Sequence, residues 1–247
     1  MLYLSQMKKQ TSLIKRLYNT LEHPRNGYFL VANYALGVVT AVSVLAIILE
    51  TVPALSQYKL VFQTIEYTAV AIFLAEYMIR VFGSKSRGKY IFSFFGIIDC
   101  LAILPSLLGF SNMTFLKAAR TARVLRTLRT LRLLKVARFT DKKAGSQAVL
   151  GINLEIYVVL LFTAIVILGT LLYTFESQGN ASTIPEGMYW AFQVMIGDRQ
   201  YPFPETAGGT FTMILVRFTA LISFGLTIGI IGAIMRKTLT GSAKDVE

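Results

Sequence analysis

The strongest constraint in this sequence is a run of basic residues at strict period three between positions 117 and 138. The segment reads KAARTARVLRTLRTLRLLKVAR, in which the spacers are almost all Leu, Ala, Val or Thr. On a helix of 3.6 residues per turn each step of three falls about 60° short of a full turn, so the charges wind around the axis. No apolar face survives, which argues against an amphipathic surface helix. The basic positions are Lys117, Arg120, Arg123, Arg126, Arg129, Arg132, Lys135 and Arg138.

A spiral of charges works as a screw. A shift of the helix by one repeat, about 4.5 Å, with a compensating rotation puts each charge where its predecessor lay. If part of the segment is a 3₁₀ helix, the charges form a straight row instead, because that helix has three residues per turn. Each charge moved through the membrane field is worth about 2.3 kcal/mol per 100 mV. The run therefore predicts a voltage-sensing helix.

The composition is typical of a helical membrane protein. Its residues are 54% hydrophobic and 15% charged, whereas soluble domains carry roughly 25% charged residues. Uncharged runs at 28–49 and 156–175 are long enough to span a bilayer, which takes about 20 apolar residues. We predict six spanning helices, near 28–50, 60–82, 91–109, 113–139, 153–176 and 208–236.

The remaining basic residues indicate how the chain is oriented. They lie in short connections such as 85–89 and 142–143, while the opposite connections hold few of them. By the positive-inside rule the basic connections and both termini are cytoplasmic. We therefore expect a multi-pass plasma-membrane protein with no nucleic acid partner. Residues 1–26 predict an amphipathic helix on the cytoplasmic face, and we expect anionic lipid near the sensor and the linker.

A shorter apolar segment, 183–196, cannot cross a membrane. Thr183 and Glu186 have the spacing of a capping box, and Pro185 suits a first helical turn. A short helix that enters the membrane and returns through irregular backbone is tolerated where it lines a water-filled cavity or is buried in protein. The pattern predicts a re-entrant pore helix. An interfacial helix beside an extracellular loop is the alternative for this segment alone.

Three carboxylates in the neighbouring spans are potential partners for the basic helix. Glu66 and Glu76 are ten residues apart, which is about 15 Å along one helix and nearly the same face. Phe73 lies about one turn from Glu76, where its ring would separate the two acidic sites. Asp99 lies among apolar residues of the third span. Because an intramembrane carboxylate is costly unless paired, these residues predict either gating partners or salt bridges for helix assembly.

With these residues in view, the chain resembles the voltage-gated cation channels that have six spans per subunit. Over 28–139 it is most similar to prokaryotic voltage-gated potassium channels. The resemblance implies an all-α membrane protein with a four-helix voltage sensor and a two-helix pore module that includes a re-entrant pore helix. The residues that carry it are Glu66, Phe73, Glu76, Arg80, Asp99 and Pro105.

The resemblance also implies roles for individual residues. The charge-transfer site would consist of Phe73, Glu76 and Asp99, with Glu66 on the outer side. The main gating charges would be Arg120, Arg123, Arg126, Arg129 and Arg132. Further along the same helix, Lys135 and Arg138 would lie at the cytoplasmic end.

The predicted selectivity filter departs from the potassium-channel pattern TVGYG. The equivalent residues are Met195, Ile196, Gly197 and Asp198. The IGD run is similar to the short filters of some nonselective cation channels, and FQVM is similar to a stretch in bacterial sodium channels. In four subunits Asp198 would form a ring that favours cations, so we expect a permeant monovalent cation, K⁺ or Na⁺, near it and no other cofactor. The alternative is a local Asp198–Arg199 pair that never meets an ion.

The last span carries glycines at Gly225 and Gly229, which permit either a gating hinge or close helix packing. Ile230 and Ile234 would form an apolar constriction that closes by dewetting. The predicted organisation is a sensor at 27–139, a linker helix at 140–152, a pore domain at 153–240 with its pore loop at 183–206, and a short tail at 241–247.

The leading hypothesis is a homotetrameric voltage-gated cation channel, because one chain supplies one sensor and a quarter of a pore. Two alternatives stay open at this stage: a potassium-selective channel with a divergent filter, and a voltage-sensor protein with a non-conducting pore. A transporter would show repeats with discontinuous helices, and the sequence has none that we detect. No nucleophile–base pair, metal cluster or phosphate-binding loop predicts an enzyme.

Overall fold

The computed structural model describes residues 14–23, 27–84, 86–108, 116–134, 149–176, 179, 181–198 and 202–241. Side chains are not described at 107–108, 116–121, 149–153, 237–238 and 240–241. The predicted roles of Lys135, Arg138 and Arg199 lie outside the described residues, as does most of the predicted linker.

The regular elements in the described ranges are all helices, which confirms the all-α prediction. A first helix covers residues 14–22 (α1). The others are α2 (Phe29–Glu50), α3 (Lys59–Gly83), α4 (Arg87–Ile91), α5 (Phe94–Leu108), α6 (Leu116–Thr127), α7 (Val149–Glu176), α8 (Ile184–Ile196) and α9 (Ala207–Gly241). Short 3₁₀ helices cover Pro53–Tyr58 and Leu128–Arg132, and the second one continues α6.

Three of the described helices are long and apolar enough to cross a membrane. They are Phe29–Glu50, Leu154–Glu176 and Ala207–Arg236. Two other predicted spans are less apolar than these three. α3 holds Glu66, Glu76 and Arg80, which lower its mean hydropathy. The basic helix carries a charge at every third residue.

The third predicted span begins later than the sequence suggested, at Phe94 instead of residue 91. The backbone N–H of Gly96 donates to the Ser93 hydroxyl oxygen at 3.1 Å, so Ser93 caps the new helix. Residues 87–90, expected to be part of a polar connection, form the short helix α4 together with Ile91.

The chain divides into two compact units, Met1–Val136 and Ala137–Glu247. In the first unit α2 and α5 pack against the basic helix and its 3₁₀ extension, and α3 packs against α2 and α5. Its core includes Ala69, Val70, Phe73 and Ile103, all buried. The predicted domain limits at 27–139 and 153–240 stay predictions.

In the second unit α7, α8 and α9 pack against one another. Its buried core includes Leu172, Trp190 and Val216. Two glycines allow α7 and α8 to approach closely, because a Cβ at Gly187 would collide with the carbonyl oxygen of Gly169. The helix α8 therefore rests directly on the backbone of α7.

Candidate functional site

Arg129 on the 3₁₀ segment is fully buried and is held by Glu66 of α3. Its Nη1 lies 2.7 Å from Glu66 Oε2 and its Nη2 lies 2.9 Å from Glu66 Oε1. The same Nη2 donates to Ser106 Oγ at 3.1 Å and to the Ala102 carbonyl oxygen at 3.2 Å. Two parallel bonds of this kind fix the position of the guanidinium as well as neutralising it. Residues 66 and 129 thus form one charge site. It is named the outer site, and the site of Arg132 the inner site, after the orientation predicted from the sequence.

Phe73 lies on α3 between Glu66, which pairs with Arg129, and Glu76, which pairs with the next arginine, Arg132. The side chain is completely buried in the core of α3 and α5. Its ring centroid is 5.9 Å from the Arg129 Cζ and 4.1 Å from the Arg132 Cζ. At these distances both guanidinium groups can interact with the ring, and Arg132 does so more closely. The ring is therefore a buried apolar group within cation–π reach of both arginines.

Arg132 occupies a second, inner charge site. Its guanidinium lies 3.2 Å from Glu76 Oε2 and 3.1 Å from Asp99 Oδ1. It also donates to the backbone carbonyl oxygen of Asp99 at 3.2 Å. Glu76 comes from α3 and Asp99 from α5, so two helices converge on one arginine. The inner site binds a guanidinium by charge and by hydrogen bonds together.

The carboxylates of the inner site share a second guanidinium, that of Arg80. Its Nη1 pairs with Glu76 and lies 3.3 Å from Asp99 Oδ2. The Tyr90 hydroxyl donates to the same Asp99 oxygen at 2.7 Å. Burial, together with the negative charge of Asp99, raises the pKa of Tyr90, so its phenol keeps the proton that it donates. Tyr90 and Ser106 are members of the site that the sequence analysis missed.

The local geometry of the basic helix explains how Arg129 and Arg132 reach two neighbouring charge sites. α6 changes to a 3₁₀ helix over Leu128–Arg132, where three residues make one turn. Arg129 and Arg132 therefore project from the same side, one above the other, as expected for a 3₁₀ stretch. Arg123 and Arg126 are half-buried on the preceding α-helical part. For Arg120 the structure describes the backbone only.

The second unit contains the predicted pore helix, and the capping box is present as predicted. The Glu186 backbone N–H donates to Thr183 Oγ1 at 3.3 Å, and the Glu186 carboxylate accepts from the backbone N–H of Thr183. Ser182 adds two more bonds, from its backbone N–H at 2.8 Å and its hydroxyl at 2.7 Å. These bonds lower the pKa of Glu186, mainly through the Ser182 hydroxyl. The start of α8 is thus firmly defined.

The predicted filter residues lie at the other end of α8. Met195 and Ile196 form its last turn, and Gly197 ends it with a φ of 81°, which glycine adopts without strain. The backbone N–H of Asp198 donates to the Gln193 carbonyl oxygen at 3.0 Å, and that of Gly197 to the Val194 carbonyl oxygen at 3.2 Å. The Gln193 side chain donates to Asp198 Oδ2 at 3.3 Å. Within residues 193–198 the carbonyl oxygens of Gln193 and Val194 therefore accept the backbone hydrogen bonds that end α8.

The chain that follows the filter is anchored at two points. Trp190 Nε1 donates to the Pro202 carbonyl oxygen at 2.9 Å. At the end of α7 the Glu176 carboxylate accepts from the backbone N–H groups of Glu205 at 3.1 Å and Thr206 at 2.8 Å. These bonds tie the returning loop to both α7 and α8. The loop is thereby held near the end of α8 that carries Asp198.

The inner helix α9 presents most of its surface outward within the single chain. A Cβ at Gly225 or Gly229 would meet no other atom within 4 Å. The predicted gate residue Ile234 is exposed, and Ile230 is half-buried. Large apolar side chains are exposed along α9, namely Phe218, Leu221, Ile222, Phe224, Leu226, Ile228, Ile231, Ile234 and Met235.

The arrangement of arginines, carboxylates and membrane helices agrees with a comparison with known protein families. Residues 30–238, well over half of the chain, match the ion transport protein family. The chain belongs to the ion transport protein family. This membership confirms the predicted relationship to voltage-gated cation channels and a helical membrane fold. The special similarity to prokaryotic channels stays a prediction.

Individual relatives of this ion transport protein include channels from animals. It is 28% identical over 232 residues to the potassium voltage-gated channel protein Shal of Drosophila melanogaster, covering 82% of this chain and 39% of Shal. It is 32% identical over 110 residues to the A-type voltage-gated potassium channel KCND3 of Rattus norvegicus and of Homo sapiens, covering 40% of this chain and 17% of the relative. These relatives are channels, in agreement with the prediction that the chain is not an enzyme.

Proposed function

We propose that four copies of this chain form a voltage-gated cation channel in the plasma membrane, with both termini in the cytoplasm. The observation that carries the proposal is the position of Arg129 and Arg132 against the Phe73 ring, each paired with a carboxylate, one that precedes Phe73 on α3 and one that follows it. A shift of the basic helix by one repeat moves one arginine past the ring and exchanges its partner. The membrane field does work on every charge moved, about 2.3 kcal/mol per charge per 100 mV.

Fixed partners make the transfer stepwise. Both arginines are fully desolvated or nearly so, at 0% and 5% exposure. A guanidinium in such a place is stable only at a site that supplies acceptors. Glu66 with Ser106 forms one such site, and Glu76 with Asp99 forms the other. The sensor therefore has discrete positions in which arginines are paired.

The second unit supports a pore shared among subunits. The exposed apolar side chains of α9 form an extended surface along the helix. Extended apolar surfaces mark contacts with other protein or with lipid. Four inner helices around one axis would bury part of it and leave the α8 ends pointing toward that axis. Hinge or gate roles for Gly225, Gly229, Ile230 and Ile234, a lever role for residues 140–152, and contacts with anionic lipid belong to the same proposal.

The permeant ion would be a monovalent cation, K⁺ or Na⁺, attracted by four Asp198 carboxylates. The C-terminal ends of four α8 helices carry partial negative charge that adds to this attraction. Because Met195 and Ile196 of the predicted filter belong to the last turn of α8, side chains take a larger share in selectivity than in a carbonyl ladder. Potassium selectivity through a divergent filter is retained as the alternative on the strength of the channels named above.

A second candidate, a voltage-sensor protein whose pore does not conduct, is favoured by one observation. The helix α8 continues through Met195 and Ile196, so the predicted filter has little extended backbone. In this candidate the basic helix would move as described, and the second unit would serve assembly alone.

Planar-bilayer recording of the purified protein separates these candidates. Voltage steps are applied with a potassium gradient against sodium. We expect currents that switch with voltage and reverse at the potential set by the preferred cation. Charge movement without ionic current in either cation would reject the channel and support the second candidate. Absence of both charge movement and current would reject the voltage sensor itself.

A further inference from the structure

The helix α1 is docked on the sensor unit by specific contacts. The buried side-chain amide of Asn33 donates to the Leu21 carbonyl oxygen at 3.3 Å, and Leu21 is itself buried. The Tyr18 side chain lies directly against Gly83 at the end of α3, where an added Cβ would collide with it. α1 therefore has a defined position beside the ends of α2 and α3.

This position brings a further carboxylate to the inner charge site. Glu22, the last residue of α1, places its Oε1 3.0 Å from Arg80 Nε. Arg80 is completely buried, whereas Glu22 is 28% exposed. On its other side Arg80 pairs with Glu76 and Asp99, the residues that hold Arg132. A single guanidinium thus links the N-terminal helix to the site of the gating charges.

The balance of charge around Arg80 depends on Glu22. The inner cluster of Glu22, Glu76, Asp99, Arg80 and Arg132 has three negative and two positive groups, a net charge of −1. Without Glu22 the same cluster is neutral. A shift of the basic helix inward by one repeat places Arg129 where Arg132 lies and moves Arg132 further toward the predicted cytoplasmic side. The cluster keeps one arginine of the basic helix, and the whole row of basic residues comes closer to Glu22.

We propose that Glu22 is a positioning residue of the voltage sensor that stabilises the inward, resting register by acting through Arg80. It draws Arg80 toward α1, which leaves the Glu76 and Asp99 carboxylates to the arginines of the basic helix. It also adds a negative charge at the end of the sensor toward which all the basic residues of the helix move in the inward shift. The N-terminal helix thereby sets the voltage at which the sensor moves. This inference rests on the proposed voltage-sensing function.

The test is the charge–voltage relation of the full chain, measured as gating current in cells expressing each variant. Glu22→Gln keeps the shape of the side chain and removes its charge. We expect it to favour the outward register about tenfold at a fixed voltage. For about three charges at about 2.3 kcal/mol per charge per 100 mV, a tenfold change corresponds to a midpoint about 20 mV more negative. Glu22→Asp, which retains the charge, should recover most of the wild-type midpoint.

Lys15→Gln is the matched control for a general surface-charge effect. Lys15 lies on the same helix with an exposed side chain. Its neutralisation should move the midpoint in the opposite direction by a smaller amount that vanishes at high internal salt, because exposed charges are screened. The Glu22→Gln shift should persist at high salt, since its target Arg80 is buried.

Two results overturn the inference while leaving the voltage sensor intact. The first is that the wild-type protein shows voltage-dependent charge movement and the Glu22→Gln variant has the same charge–voltage midpoint. The other is a Glu22→Gln shift that salt abolishes together with the Lys15→Gln shift, which would make Glu22 an ordinary surface charge. Absence of voltage-dependent charge movement in the wild type would instead reject the proposed function, and the inference with it.

Discussion

Arg129 and Glu66 meet in a two-point ion pair, with distances of 2.7 Å and 2.9 Å, although they are 63 residues apart in the chain. Glu66 precedes Phe73 on α3, and the equivalent group is Arg132 with Asp99 and with Glu76, which follows Phe73 on the same helix. The register of the basic helix is therefore fixed at two sites three residues apart. A change at either site alters the balance between registers.

Glu66→Gln removes the charge that holds Arg129. Arg129 then loses the carboxylate that holds it in the outward register. The midpoint of the charge–voltage relation should therefore move to more positive voltages. A loss of about 2 kcal/mol, below the 3–5 kcal/mol typical of a broken buried pair because Ser106 still contacts Arg129, gives about 30 mV for three charges. Glu50→Gln at the end of α2 is the control, and an equal shift in both variants would contradict the prediction.

Phe73 should couple more strongly to Arg132 than to Arg129. Its ring centroid is 4.1 Å from the Arg132 Cζ and 5.9 Å from the Arg129 Cζ. Double-mutant cycles combine Phe73→Leu with Arg132→Gln and, separately, with Arg129→Gln. From the charge–voltage midpoints we expect a coupling free energy of about 0.5–2 kcal/mol for Arg132 and a smaller one for Arg129. Equal couplings would mean that the ring acts only as an apolar plug.

Gly187→Ala should destabilise the second unit, because the added methyl group collides with the backbone of Gly169. Forcing α7 and α8 apart should cost about 1–3 kcal/mol and lower the thermal midpoint of the purified protein. Gly88→Ala is the control, since a Cβ at that helical position meets nothing within 4 Å. A variant at position 187 as stable as the control would show that the helices separate freely.

The Glu186 carboxylate should contribute to stability in a pH-dependent way. Hydrogen bonds, led by that of the Ser182 hydroxyl, lower its pKa below the model-peptide value of 4.5 in the folded protein. A lowered folded pKa contributes stability above pH 4.5, and this contribution is lost as the pH falls through the folded pKa. Glu186→Gln should therefore be less stable than wild type at pH 7.

The size of this effect is limited because Glu186 is exposed to solvent. We expect about 0.5–1 kcal/mol at pH 7, the lower part of the range for helix caps. Thermal unfolding of wild type and Glu186→Gln between pH 7 and pH 3 measures it. The two curves should converge at the acid end, and a difference independent of pH would exclude the charged carboxylate as its source.

Asp198→Asn tests the predicted ring of carboxylates. It should lower the cation conductance and weaken the preference for cations over anions, because it removes four negative charges from the mouth of the proposed pore. Glu155→Gln is the control, because it neutralises an exposed carboxylate elsewhere on the chain. Glu155 lies 21 residues before Glu176 on α7, so the two residues are roughly 30 Å apart along that helix. Single-channel recording in planar bilayers measures both. Identical conductance in the two variants would place Asp198 away from the ion path.

Much of the sensor was predictable from local spacing. Period three in an apolar segment required charges that move or pair, and isolated carboxylates in apolar helices required cationic partners. The capping box at Thr183 and Glu186 was predictable for the same reason, since its bonds form within four residues. Ser106 and Tyr90 gave no comparable signal, because a serine or tyrosine near a helix end has many ordinary uses.

The sequence by itself determined that charges spaced three apart enter the membrane and that helices with acidic residues accompany them, because periodicity and hydropathy are properties of the chain. Only the tertiary structure decided which arginine meets which carboxylate, since that depends on the register of helices distant in sequence. It also decided that Glu22 reaches Arg80, and that the filter residues end a helix at Gly197. Packing between distant segments makes these choices, and no local pattern contains them.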